Sequence, residues 1–67
     1  MYTDYLHNEL HVGDKVIFID TDYHEFSHGI IAKLNDNKAT IQIIIDDVLC
    51  DHVTFKHYHQ IIKENVQ

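Results

Sequence analysis

Residues 29–45 read GIIAKLNDNKATIQIII, and their pattern decides the fold. Ile30, Ala32 and Leu34 alternate with Ile31, Lys33 and Asn35, and Ala39, Ile41, Ile43 and Ile45 alternate with Thr40, Gln42, Ile44 and Asp46. Two period-2 runs rich in β-branched residues, joined by Asn35-Asp36-Asn37, predict a β-hairpin. Short polar side chains suit the joint because they bond the nearby backbone and tolerate left-handed dihedrals. With Ile30, Ala32, Leu34, Ile41 and Ile43 facing inward, Ile31, Ile44 and Ile17 face out. A lone hairpin is marginal in water, so the remaining chain must fold over its apolar face.

The 67 residues make one domain with little room for a core. A chain of this size buries only about 60% of the surface exposed on unfolding. Such cores rarely supply more than roughly 3–5 kcal/mol, which makes a metal, a partner or a second copy useful. The single Cys50 excludes an intrachain disulfide and fits a reducing compartment. No apolar run approaches the roughly 18 residues of a membrane-spanning helix, and MYTDYLHNEL lacks the basic and apolar regions of a signal peptide. The expected location is the cytoplasm.

Eleven acids against five lysines, with no arginine, give a formal charge of −6. This is the opposite of the basic footprint of nucleic-acid binders and points to a basic surface on a protein partner. Net negative charge also simply keeps a protein soluble.

Outside the hairpin, residues 1–11 predict a helical turn or an irregular arm, with Thr3 and Asp4 placed to cap it. Gly13 supplies a permissive dihedral before the strand Val16–Ile19, in which Val16 and Phe18 face inward. A polar loop, 20–28, follows, with Phe26 as a packing anchor. Beyond the hairpin, 46–51 predicts an acidic turn and 52–55 a strand with Val53 and Phe55 inward. Residues 56–59 predict one helical turn, 60–63 a closing strand, and 65–67 a frayed tail.

The order VGDKVIFI, loop, GIIAKL, hairpin, ATIQIII, turn, HVTF, KHYHQ, IIKE resembles the SH3-like, KOW and Tudor group of small barrels. The shared features are a V-G-D-x-V opening and a G-x-I/V-x-x-L second strand, over residues 12–64. The resemblance implies an all-β fold, a five-stranded SH3-like barrel with a short N-terminal extension and one helical turn before the last strand. The aromatic pairs of peptide-binding SH3 domains and the basic loop of ribosomal modules are missing. In length, charge and lysine-only basicity the chain also resembles the small acidic inhibitors that bacteriophages use against host enzymes, the anti-CRISPR proteins among them.

In the barrel that the resemblance implies, the long loop and the helical turn flank one groove. His24 and His28 then face His57 and His59, a candidate zinc set, with Cys50 and His52 as the alternative. Chance surface histidines are the plainer account. Catalysis is not expected: neither Cys50 with His52 nor the paired carboxylates have an orienting third group or a pocket. The leading expectation is a non-enzymatic binding protein whose acids stand in for phosphates. Asp20, Asp22 and Glu25, with Tyr23 and Phe26 among them, form one candidate surface, and Asp46, Asp47 and Asp51 a second. A basic nucleic-acid channel, such as that of a Cas-type nuclease, is the matching partner. The alternatives are a regulatory module reading a peptide or a ribosomal surface around Tyr23, Phe26 and Tyr58, and a zinc-dependent structural or sensor module. A homodimer is a further option.

Overall fold

The computed structural model describes residues 1–20 and 25–64, with the side chain of Asp20 outside the description. Five strands form one antiparallel sheet: β1 (Lys15–Asp20), β2 (Glu25–Leu34), β3 (Lys38–Ile45), β4 (Val48–His57) and β5 (Ile61–Lys63). Their order is β4-β3-β2-β1-β5, with a single 3-10 turn, Tyr58–Gln60, before β5. The chain is thus all-β, with the five-stranded SH3-like arrangement and the helical turn where the sequence places it. Among the described residues no helix is long and apolar enough to cross a membrane.

The central hairpin forms as its alternation requires, turning through Asn35–Asn37, but the inward face of β2 differs from expectation. Ile31, not Ile30 or Ala32, enters the core at 1% exposure, paired with Ile41. The register between β2 and β3 slips between Ile31 and Lys33, so Ala32 is an extra residue. A bulge of one residue reverses which side chains face in. Ile31 and Leu34 therefore both reach the core while Ala32 is exposed. Val16, Phe18, Ala39, Ile41, Ile61 and Leu10 complete the core, and Ile43 packs half-buried against it.

β4 also departs from expectation, because Val53 and Phe55 face outward. The acidic turn is only two residues, Asp46-Asp47, and pairs Ile45 with Val48. Between Gln42 and Ile44 the register shifts by two residues, so that Cys50, Asp51 and His52 bulge across from the single residue Ile43. Thr54 then falls opposite Ile41 and Lys56 opposite Ala39 on the core side. The Lys56 amine reaches back over the Phe18 ring, 5.7 Å from its centre, so a long cationic side chain roofs this end of the core.

The N-terminal arm is a small hairpin-like loop rather than a helical turn, closed by a bridge between Thr3 and Glu9. Asp4 is its centre, only 3% exposed. Its carboxylate accepts from the Leu6 N–H (2.9 Å), the Asn8 N–H (2.8 Å), the Asn8 side-chain amide (3.2 Å) and the Lys63 N–H (2.7 Å). Tyr5 N–H donates to the Ile61 carbonyl at 2.9 Å. The arm therefore extends the sheet along the outer edge of β5 and carries Leu10 into the core.

Candidate functional site

β2 runs down to Glu25 and β3 ends at Ile45, with His28 opposite Ile44. The start of β2 and the turn between β3 and β4 therefore lie at one end of the sheet. Between them opens a cleft of about 760 Å³, lined by Glu25, Phe26, His28, Ile44, Asp46 and His52 among others. Two acidic segments that are far apart in the sequence meet here, with Glu25 from the first group and Asp46 from the second on its walls. Asp51 lies within β4, exposed, rather than in a turn. Asp22, Tyr23 and His24 fall outside the described residues, and Asp20 is placed only by its backbone pairing with Glu25.

Phe26 is 72% exposed, so it does not anchor the loop by packing. The reason is register: Phe26 pairs with Ile19 on the outer face, while Ser27 faces Phe18. Its ring stands on a ridge between the acidic cleft and a smaller groove of about 230 Å³. That groove is apolar, made by Ile17, Ile19 and Ile62 of the outer face, with Tyr5 from the arm and His59 from the 3-10 turn. Sequence patterning missed Tyr5, Ile19 and Ile62 as a surface because each strand was read only for its core face. A continuous apolar run such as Val16–Ile19 signals that both faces matter.

Asp46 and Asp47 both have positive φ, 51° and 63°. Consecutive left-handed residues in a two-residue hairpin loop make the type I′ turn, whose favoured sequence is Asn-Gly. Aspartate tolerates this conformation but does not prefer it as glycine does. We therefore expect Asp46→Asn with Asp47→Gly to raise stability by about 0.5–2 kcal/mol, readable as a higher midpoint in urea. An unchanged or lowered midpoint would mean that the carboxylates themselves support the turn.

Among the described residues the histidines do not gather as a set, and His24 lies outside them. His28 lies opposite Ile44 and His57 opposite Lys38, at the two ends of β3. Six positions of strand correspond to roughly 20 Å, far beyond a shared coordination sphere. His28 is engaged instead by Glu64, with Nδ1 2.9 Å from Oε1, and Glu64 in turn lies 3.8 Å from the Lys15 amine. His57 turns Nδ1 to the Asn37 carbonyl at 3.2 Å and stacks on His59 with ring centres 5.5 Å apart. The Cys50 thiol points back to the Val48 carbonyl at 3.6 Å, and His52 is exposed in the cleft. Among the described residues no group of three or more His, Cys, Asp or Glu side chains is placed to hold a metal ion.

Tyr58 is likewise separate from Phe26. It stacks on Tyr2 with ring centres 4.7 Å apart and donates to the carbonyls of Asn35 and Lys38, bracing the β2–β3 turn. Burial and the Asp36 carboxylate, which accepts from Tyr2 at 3.3 Å, hold the Tyr2 hydroxyl above its ordinary pKa. This end of the sheet is tied down, whereas the Phe26 end offers acids that pair with no cation among the described residues, and exposed apolar surface.

The chain belongs to the family described as Domain of unknown function (DUF7205), whose model matches residues 2–64. No curated protein and no solved structure matches it.

Proposed function

We propose that this member of the family is a non-enzymatic binding module that docks on a basic protein surface through the shared end of its two hairpins. The observation that carries this reading is Phe26, an aromatic ring left in solvent beside a cleft walled by Glu25 and Asp46. Exposed apolar groups ringed by charge mark interfaces, and aromatics concentrate binding energy at interface centres. Phe26 and the Ile17–Ile19–Ile62 groove supply the dry centre, and Glu25, Asp46 and Asp47 supply the acidic rim. The net charge of −6 adds long-range attraction to any basic partner. The narrower form of the proposal is phosphate mimicry: the acids occupy a nucleic-acid channel of a host enzyme, such as a Cas-type nuclease, in the manner of small phage-encoded inhibitors.

Two variants separate the parts. Phe26→Ala should leave the melting temperature unchanged and weaken partner binding by about thirtyfold or more, as expected for a central aromatic. Glu25→Gln with Asp46→Asn and Asp47→Asn should mainly slow association and flatten its salt dependence, since exposed charges act over about 8–10 Å at ordinary ionic strength. The measurement is titration, at two salt concentrations, of a partner captured from bacterial lysate, with single-stranded DNA as competitor. Salt-independent binding that survives the acid changes excludes mimicry. Binding that also survives Phe26→Ala removes this end of the molecule as the interface.

A further inference from the structure

We infer that two copies of this chain pair through the free edge of β4, antiparallel about a two-fold axis at Thr54. The sheet has two edges, and the arm occupies one of them through Tyr5 N–H on the Ile61 carbonyl and the Asp4 carboxylate on Lys63 N–H. The other is β4, ten residues long, and among the described residues no backbone hydrogen bond reaches its far side. Proteins blunt such edges with proline, outward lysine or a bulge, because an open row of N–H and C=O groups templates pairing with another chain. A bulge interrupts β4 at 50–52, but from Val53 to His57 the strand has none of these. Its one lysine, Lys56, turns to the core side over Phe18.

The edge is also self-complementary. Val53, Phe55 and His57 alternate along one face, and Val53 and Phe55 are 50% and 59% exposed on it. Antiparallel self-pairing centred on Thr54 sets Val53 of each copy opposite Phe55 of the partner subunit. Directly opposite residues on one face are the pairs that stabilise a sheet. A centre at Val53 would instead set Phe55 against the bulge, and a centre at Phe55 would set Val53 against His57. Thr54 alone gives both exposed apolar side chains an apolar partner. On the other face the Lys56 amine is already held over its own Phe18 ring. The resulting interface is isologous and closed, and Phe26, on β2, takes no part in it.

Sedimentation equilibrium should show a concentration-dependent species of twice the 7.9 kDa chain mass. Phe55→Lys, an exposed change, should raise the dissociation constant by about tenfold or more, the scale of a central interface residue. In a Cys50→Ser background, Thr54→Cys should form a disulfide-linked dimer under mild oxidation, because directly opposite Cα atoms lie within disulfide reach, about 4.5–5.5 Å apart. Asp51→Cys in the same background should not, since it lies beyond the paired residues, three positions from the axis, and its copies would stand outside disulfide reach. A monomer at every concentration overturns the proposal. So does a dimer that Phe55→Lys leaves intact, or one that cross-links at residue 51 and not at 54.

Discussion

Replacing Asp4 by alanine is expected to release the N-terminal arm from β5 and to lower the melting temperature by about 10–30 °C, from roughly 2–4 kcal/mol lost. Asp4 is a buried carboxylate whose four hydrogen bonds come from Leu6, both N–H groups of Asn8 that reach it, and Lys63. Hydrogen bonds to a charged group are worth more than neutral ones, and buried donors left without an acceptor are costly. The loss is bounded because the arm can detach and give its donors to water. Asp4→Asn should be nearly as damaging, since its side-chain N–H₂ would face either the Lys63 N–H or those of Leu6 and Asn8. Amide exchange at Leu6, Asn8 and Lys63 should accelerate together in both variants. Unaltered protection at all three would show that the arm is held by Leu10 and the Tyr5–Ile61 bond alone.

The same carboxylate makes stability depend on pH. Burial pushes the Asp4 pKa up, but the bonds from Lys63, Asn8 and Leu6 outweigh it, and the net shift is below the ordinary value of 3.8. A carboxyl with a lowered folded pKa binds its proton more readily in the unfolded chain. Its contribution is therefore full above the unfolded value and declines as pH falls through the folded one. Acid unfolding of the wild type should carry this loss below about pH 4, and Asp4→Ala should lack it.

The parts of the fold legible in the sequence are those in which one strand's pattern suffices. The alternation of 38–45 places Ala39 and Ile41 in the core, Val16 and Phe18 follow the same rule, and Gly13 takes a φ of 97° at the turn that needs it. What a single strand's pattern does not carry is register. The extra residue at Ala32 exchanges Ile30 for Ile31, and the two-residue Asp46-Asp47 turn sends Val53 and Phe55 outward. Both depend on which residue of a neighbouring strand lies opposite, a non-local fact. Asp46-Asp47 between two β-branched runs did offer a signal, since Asp tolerates left-handed turns. The candidate site was legible as a set of acids and aromatics, but not as a place. Glu25, Phe26 and Asp46 meet because two hairpins share an end, whereas His28 and His57 are parted by the length of β3.

Gly29→Ala is expected to leave the chain largely unfolded at physiological temperature. Gly29 sits on the inner face of β2, opposite Val16 on one side and Ile43 on the other. A Cβ there would run into Cγ2 of Ile41, and would lie 2.8 Å from the Gln42 carbonyl oxygen and 3.3 Å from Cε1 of Phe18. Ile41 is fully buried and Gln42 belongs to the backbone ladder, so neither neighbour can retreat cheaply. Overpacking of this kind costs roughly 1–3 kcal/mol and occasionally more, comparable with the roughly 3–5 kcal/mol a core of this size supplies. Ile41→Ala alone should cost roughly 2–5 kcal/mol by leaving a cavity. Together the two changes should be less damaging than their sum by about 1–3 kcal/mol, because removing Cγ2 opens the space that the new methyl fills. Urea unfolding in trimethylamine N-oxide, which strengthens burial enough to give each variant a folded baseline, completes the cycle. Strict additivity would assign the damage to the Gln42 carbonyl and Phe18 instead, and a near-neutral Gly29→Ala would mean that β2 and β3 lie farther apart at this point than their pairing requires.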